Sequence, residues 1–132
     1  MDQCIFCQIV QGKIPSHQVY ADESVVAFLD IHPVRPGHVL LIPKEHIPTM
    51  TDADPQILAV LYAKAADLMR LMKEKLKADY VMLYVVGIDV PHFHIHLLPR
   101  KHGDGLQGWP TSSYKQSEAE QIVESLKATA IE

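Results

Sequence analysis

Residues 91–99 read Pro-His-Phe-His-Ile-His-Leu-Leu-Pro, and this segment constrains the fold more than any other part of the chain. Histidines occupy positions 92, 94 and 96, with apolar residues between and after them. Because successive side chains leave a β-strand on opposite faces, this period of two predicts a strand with three imidazoles on one face and core residues on the other. A row of three imidazoles is a poor way to build a core, but it suits a functional site.

Two other interpretations of the histidine row stay open at this point. The first is a solvent-exposed strand face that happens to use histidine, although histidine is not a favoured strand residue. The second is a metal site built from the row itself, because residues i and i+2 of a strand can chelate one ion.

The overall composition predicts the class of protein and its setting. The chain has 132 residues, which suits one domain over 1–132, and a formal net charge of −4 that attracts neither nucleic acid nor an anionic membrane. The sequence has no apolar run of about 18 residues and no signal-peptide pattern at its start. We therefore expect a cytoplasmic protein with no nucleic-acid or membrane partner.

The only two cysteines form a Cys-x-x-Cys pair, Cys4 and Cys7. In a reducing compartment such a pair indicates metal or redox chemistry before it indicates a disulfide. A disulfide oxidoreductase usually carries this pair at a helix start within a βαβ pattern, which does not surround it here. Half of a four-ligand zinc site is the better functional interpretation, and two free cysteines packed as small hydrophobic residues are the alternative.

The hydrophobic periodicity predicts an α+β fold. Strands are expected at 19–21, 25–29, 38–43 and 80–86 and in the histidine segment, with a hairpin joining the first two and the third in the centre of the sheet. A long helix is expected from Pro55, capped by Asp54, and short helices near both termini. The last helix is expected to begin with a capping box formed by Ser117 and Glu120. Its buried face is expected to consist of four residues: Ile122, Val123, Leu126 and Ala130. These elements form a mostly antiparallel sheet with helices packed on it.

Four segments in order carry a family resemblance. They are Cys-Ile-Phe-Cys at 4–7, Ala-Phe-Leu-Asp-Ile at 27–31, Gly-His-Val-Leu-Leu-Ile-Pro-Lys-Glu-His at 37–46, and His-Phe-His-Ile-His-Leu-Leu at 92–98. With them the chain resembles the histidine triad (HIT) proteins, a group of nucleotide hydrolases and transferases. The resemblance covers the chain from Cys4 to about Lys101.

The resemblance implies a five-stranded, mostly antiparallel HIT-like sheet and a homodimer that extends this sheet across two subunits. It implies that His94 attacks the α-phosphate of a purine nucleoside phosphoramidate or dinucleoside polyphosphate. A nucleotidyl-histidine would form, and water would release the nucleoside monophosphate. His96 would bind the phosphate oxygens, Asp30 the ribose hydroxyls, and Ile31 with Phe28 would lie near the base.

The residue chemistry agrees with that expectation. Neutral imidazole, with an ordinary pKa of about 6.5, is a competent nucleophile near pH 7 when its tautomer is fixed by a partner of the other ring nitrogen. The sequence has neither a glycine-rich phosphate loop nor a carboxylate cluster for magnesium, so catalysis is expected to need no metal. Asp30 has an alternative role as a residue that only organises a turn.

The zinc hypothesis needs two more ligands beside the cysteine pair. A closed structural site is predicted from two cysteines and two histidines: Cys4, Cys7, His46 and His92. His92 then serves both as first member of the catalytic triad and as a zinc ligand, while the other two histidines are free for phosphate.

The turn before the histidines departs from the family pattern. Many members carry an Asn at the end of the fourth strand and a Gly-Gln pair before the triad, whereas this chain has Val85 and a short turn at 87–91. Asp89 falls near the expected leaving group, where it would favour phosphoramidates, or it only forms the turn. Two other functions stay open, a nucleotide-binding or interaction protein with weak catalysis and a zinc-stabilised scaffold. No role is assigned to His32, His38 or Trp109.

Overall fold

The computed structural model describes residues 3–87 and 89–127, which contain one five-stranded antiparallel sheet. The strand order is β1-β2-β3-β5-β4. The strands are β1 (Gln18–Ala21), β2 (Val25–Leu29), β3 (Val39–Pro43), β4 (Tyr80–Tyr84) and β5 (Ile95–Arg100). The helices are α1 (Ile5–Val10), α2 (Pro55–Lys75) and α3 (Glu118–Lys127), with a short 3-10 turn at Met50–Asp52. This architecture confirms the predicted α+β fold.

The central position of β3 is confirmed. All five residues of β3 are buried, because helices α2 and α3 cover one face of the sheet and α1 covers part of the other. The first face packs residues such as Leu41 and Leu97 against α2, and the second packs Phe28 and Leu40 against Phe6 of α1. The candidate site residues lie on the side of this second face, beside the short helix α1.

The long helix and the hairpin also agree with the sequence. Asp54 caps α2 by accepting a hydrogen bond from the backbone N–H of Ile57 at 3.1 Å, and Pro55 occupies the first helical position. In the β1–β2 hairpin the Asp22 carboxylate accepts bonds from the backbone N–H groups of Ser24 and Val25. Within the described residues no helix is both long and apolar enough to cross a membrane.

The prediction that all three histidines belong to one strand is wrong. Strand β5 begins at Ile95, so His92 and His94 precede it. In this preceding segment the backbone N–H of His92 bonds to the carbonyl of Val90, and that of Phe93 to the carbonyl of Ile47. These bonds replace a regular ladder, whose pairing with β3 extends no further than Leu41 opposite Ile95. Strand β4 likewise ends at Tyr84 rather than at residue 86.

The predicted start of α3 also needs correction. Ser117 has a φ of 66°, a left-handed conformation rather than the extended one of an N-cap residue, so the capping box with Glu120 does not form. Instead the Glu118 carboxylate accepts a bond from the backbone N–H of Lys115. The buried face is confirmed where it is described: Leu126 is buried and Ile122 and Val123 pack on the core, whereas Ala130 lies outside the described residues.

Candidate active site and metal centre

A cavity of about 260 Å³ lies on the α1 side of the sheet. It brings together six residues that the sequence predicted to contact substrate: Phe28, Asp30, Ile31, Asp89, His94 and His96. Helix α1 adds an apolar wall through Ile5, Phe6 and Ile9, which the sequence did not assign to the site. The cavity therefore has a mainly apolar side beside two buried imidazoles.

His94 lines this cavity, and its hydrogen bonds determine which ring nitrogen is available there. Its residue is only 2% exposed, and its Nδ1 lies 2.8 Å from the backbone carbonyl oxygen of His92. A carbonyl only accepts hydrogen bonds, so Nδ1 carries a proton and donates it, and in the neutral ring the lone pair is therefore on Nε2. This Nε2 has no hydrogen-bond partner among the described residues. The tautomer is thus the one that a nucleophilic imidazole requires.

His96 presents the opposite group, an N–H donor. The backbone N–H of Val34 donates to His38 Nδ1 at 3.1 Å, so the His38 proton resides on Nε2. His38 Nε2 then donates to His96 Nδ1 at 2.9 Å, which places the His96 proton on its own Nε2. That Nε2 is buried without a hydrogen-bond partner among the described residues. The relay therefore prepares His96 to donate to a ligand oxygen.

Burial keeps the two relay imidazoles neutral. It lowers the pKa of His38 to about 4, with a further contribution from the charge of His94. Burial first, and electrostatic repulsion between His96 and the neighbouring His94 and His38 after it, lower the pKa of His96 to about 4 as well. Near pH 7 both rings are uncharged, so the donor directed at the cavity is a neutral N–H.

Trp109 and His38, which the sequence left without a role, both contact His96. The Trp109 indole makes edge-to-face contacts with three rings, with centroid separations of 5.1 Å to His96, 5.5 Å to His38 and 5.2 Å to Tyr84. Trp109 thereby covers the relay from the side of the long loop after β5. The contact between His38 and His96 depends on the β3–β5 register, in which Leu40 lies opposite His96.

Asp30 has the turn role that the sequence left open. Its Oδ1 accepts a bond from the backbone N–H of His32 at 2.9 Å, directly after β2. Its Oδ2 lies 3.8 Å from His38 Nε2, and the side chain also lines the cavity. One carboxylate oxygen therefore organises the loop while the other faces the site.

Asp89 lies against the Nε2 of His94. Its Oδ1 is 3.2 Å from His94 Nε2, and its side chain is 56% exposed. While the His94 ring is neutral, both the carboxylate oxygen and Nε2 are hydrogen-bond acceptors, so no hydrogen bond joins them. The Asp89 carboxylate is consequently free to move when a ligand enters.

The four predicted zinc ligands form one cluster beside this cavity. Their donor atoms all lie within 4.8 Å of one another: Cys4 Sγ, Cys7 Sγ, His46 Nδ1 and His92 Nδ1. The His92 Nδ1 is 3.3 Å from Cys4 Sγ and 3.5 Å from Cys7 Sγ, and His46 Nδ1 is 3.1 Å from Cys7 Sγ. Donors of a tetrahedral zinc site lie about 3.3–3.8 Å apart, so the set fits zinc after small adjustments.

The protonation of these groups also fits a metal. His92 Nε2 donates to the carbonyl of Pro43 at 2.9 Å, so its Nδ1 lone pair faces the two cysteines. Burial, together with the neighbouring Cys4, raises the pKa of Cys7 to about 11, so a cation that binds here displaces a proton. Both His92 ring nitrogens thus have partners other than the residues of the cavity. The link between His92 and the cavity is its backbone carbonyl, which accepts the hydrogen bond from His94 Nδ1.

Comparison with known proteins identifies the family. Residues 11–103 match the HIT domain. The chain belongs to the HIT family. This assignment confirms the resemblance read from the four sequence segments.

Individual HIT relatives match nearly the whole chain. The adenylylsulfatase HINT3 of Arabidopsis thaliana is 31% identical over 96% of this chain and 68% of its own length. A Hit-like protein from Bartonella henselae superposes with a TM-score of 0.88 at 29% identity, covering 97% of this chain and 96% of that one. A zinc-bound histidine triad family protein from Mycobacterium smegmatis superposes with a TM-score of 0.84 at 31% identity, covering 96% of this chain and 95% of that one. These HIT relatives support a protein of the hydrolase and nucleotidyl-transferase kind, and the Cys/His cluster is compatible with zinc.

We expect substitution of His38 to change the tautomer of His96. His38→Leu removes the donor to His96 Nδ1 and leaves the buried N–H of Val34 unpaired, which costs about 1–3 kcal/mol of stability. Nitrogen-15 NMR of the imidazole should show protonation at His96 Nε2 in the wild type and a mixture of tautomers in the variant. His38→Gln keeps an amide donor and should restore part of the wild-type signal. An unchanged His96 signal in His38→Leu would refute the relay.

Proposed function

We propose that this HIT protein hydrolyses nucleotides at the α-phosphate, acting on a purine nucleoside phosphoramidate or a dinucleoside polyphosphate. The observation that carries the proposal is the pair of unpartnered groups in one cavity: a lone pair on His94 Nε2 and an N–H on His96 Nε2. The first suits attack on phosphorus, and the second suits a phosphoryl oxygen whose negative charge grows during attack.

In the first step the His94 Nε2 lone pair forms a bond to the α-phosphorus. The bond from phosphorus to the leaving group breaks, its electron pair stays on the departing atom, and that atom takes a proton from solvent where its basicity requires one. The His94 proton stays on Nδ1, where the carbonyl of His92 accepts its hydrogen bond and stabilises the positive charge of the substituted ring.

In the second step water attacks the phosphorus of the nucleotidyl-histidine. The bond from phosphorus to His94 Nε2 breaks, and its electron pair returns to the ring nitrogen. The proton lost by the water goes to solvent, and the nucleoside monophosphate leaves. The His96 Nε2–H donates to a phosphoryl oxygen in both steps, so it favours the transition states over free substrate.

The nucleoside is proposed to lie along the apolar side of the cavity. Phe28 and Ile31 would contact the purine together with Phe6 of α1, and the Oδ2 of Asp30 would accept bonds from the ribose hydroxyls. Asp30 retains its bond from the backbone of His32 in this arrangement, which holds the carboxylate in place for the sugar.

Zinc is proposed as a structural ion held by the Cys/His cluster, where it neutralises two thiolates and ties α1 to the sheet. The chain itself holds the His92 ring through the hydrogen bond from His92 Nε2 to the carbonyl of Pro43. This bond helps to position the backbone carbonyl of His92, which orients the His94 ring. The two proposed steps need no metal at the phosphate.

We further propose that each chain forms one HIT domain over 1–132 and that two chains form a homodimer in the cytoplasm. Strand β4 lies at an edge of the described sheet, and Val85 and Val86 just after it expose much of their side chains. An edge strand offers unpaired backbone groups to a second copy, so pairing through β4 would extend the sheet across two subunits.

A second candidate function is nucleotide binding with weak catalysis. The observation in its favour is the contact between Asp89 and His94, because a carboxylate at 3.2 Å from Nε2 occupies space that an α-phosphate needs. In this case the apolar pocket would still bind nucleoside, but the approach of phosphorus to His94 would be disfavoured.

One experiment separates these candidates. The purified protein is incubated with adenosine phosphoramidate, its uridine analogue and diadenosine tetraphosphate in ¹⁸O-labelled water, and quenched samples are analysed by mass spectrometry. The proposal expects monophosphate carrying one ¹⁸O atom, a nucleotidyl adduct that maps to His94, and faster turnover of the adenosine compound. Binding without adduct or product would support the second candidate, and neither binding nor product would refute both.

A further inference from the structure

The charges around the cavity affect which leaving groups it can accommodate. The proposed function does not decide between an amine and a nucleoside polyphosphate. Two carboxylates line the cavity, Asp30 and Asp89, and among the described lining residues there is no Lys or Arg. The α-phosphate can meet the His96 N–H, but a second phosphate in the leaving group finds no cationic side chain there. The cavity is therefore unfavourable for a leaving group that brings additional negative charge.

The two carboxylates are not equivalent. Asp30 is held by its bond from the backbone of His32, on the side of the cavity next to β2. Asp89 lies at the His94 side with Oδ1 3.2 Å from Nε2, and it is exposed to solvent over more than half of its side chain. Asp89 thus stands between the nucleophile and the cavity mouth.

The path of the reaction brings the leaving group toward that mouth. A nucleophile attacks phosphorus roughly in line with the departing atom, so the leaving group lies on the side of the phosphorus opposite His94. The inner side of the cavity is closed by apolar residues such as Phe6 and Phe28, so departure is toward solvent. When phosphorus approaches His94 Nε2, the Asp89 carboxylate has to move aside, and because its side chain is 56% exposed the space open to it is on the solvent side, where the leaving group departs.

We propose that Asp89 selects substrates by the charge of their leaving group, favouring nucleoside phosphoramidates of cationic or neutral amines over those of anionic amines and over dinucleoside polyphosphates. The proposal rests on the proposed function. A carboxylate beside the departing atom attracts a positive substituent and repels a negative one, so the preference arises from a single charge rather than from shape.

The test varies the leaving-group charge at constant bond type. Three phosphoramidates of AMP are compared, made from ethylenediamine, n-propylamine and β-alanine. Beyond the P–N nitrogen they carry an ammonium, a methyl and a carboxylate group, so the substituents are positive, neutral and negative. In each, the P–N bond breaks and the amine leaves with a proton from solvent. For the wild type we expect kcat/KM to fall about tenfold for each step toward negative charge, the size expected from one charge several ångströms away in a half-exposed site. Diadenosine tetraphosphate should be poorer still.

Asp89→Asn keeps the side-chain size and removes the charge, so the ratio of kcat/KM between the positive and negative amines should shrink toward one. Asp67→Asn on α2 is the matched control; it removes one negative charge outside the cavity and should leave the ratio unchanged. A salt titration should weaken the preference in the wild type and not in Asp89→Asn.

The outcomes separate the inference from the function on which it rests. Turnover of all three amines with the same ratio in wild type and Asp89→Asn overturns the role of Asp89 and leaves the hydrolase intact. A preference for the negative amine that persists in both proteins also overturns it. Absence of product and of a His94 adduct with every substrate overturns the proposed function, and the inference with it.

Discussion

Substitution of His94 by alanine should lower the rate of nucleoside monophosphate release by about three orders of magnitude or more, as for other catalytic nucleophiles. The His94 Nε2 lies in the cavity, and the His94 ring contacts the His96 ring with centroids 4.9 Å apart. The other histidine of the lining, His32, is exposed, so His94 is the buried imidazole that can supply a lone pair beside the His96 N–H. Nucleotide binding should persist, because Phe6 of the apolar wall also packs on Phe28 and Asp30 is held by the backbone of His32. Single-turnover rates and calorimetric binding of AMP measure the two quantities separately.

The control for this experiment is His102→Ala. His102 is exposed and stacks on Tyr80 on the edge strand, outside the cavity, so its loss should change neither rate nor binding. The wild type should yield a nucleotidyl adduct on quenching, and His94→Ala should yield none. Near wild-type turnover in His94→Ala would contradict the mechanism, and loss of AMP binding together with activity would indicate damage to the pocket.

Removal of the metal is expected to have the second large effect. Protein purified without chelator should contain about one zinc per chain, and the double variant Cys4→Ser/Cys7→Ser should contain none. The buried cluster ties α1 to β3 and to the segment before β5, so its loss should lower Tm by roughly 10 °C, or about 3 kcal/mol for a domain of this size. The hydrophobic core beneath α2 should keep the chain folded at room temperature.

A chelator titration checks that the effect comes from the metal. It should lower Tm in the wild type, zinc should restore it, and the double variant should not respond to either. AMP affinity should fall with the metal, because Phe6 of α1 contacts both His94 and Phe28 at the pocket. Metal-free protein with an unchanged Tm would exclude a structural zinc site and would favour two cysteines that act only as small core residues.

Much of the architecture was predictable because it depends on local patterns. The three- and four-residue spacing after Pro55 determines α2, and the buried run in β3 determines the centre of the sheet. The alternation at 92–96 predicted three imidazoles on one face of a strand, whereas the strand begins only at Ile95 and all three imidazoles are buried. The end of a strand depends on hydrogen bonds to distant partners such as Ile47, which a period of two does not report.

The residue types at the candidate site were also available from the sequence: a Cys-x-x-Cys pair, alternating histidines, and Asp30 after a strand. Their placement was not, because it depends on contacts between residues far apart in the chain. The register of β3 against β5 sets the His38–His96 relay, and packing of α1 supplies one wall of the cavity. The sequence by itself therefore determined the fold class and the types of reactive side chain. Only the tertiary structure decided the tautomer of each imidazole, because the tautomer depends on the group that the other ring nitrogen contacts.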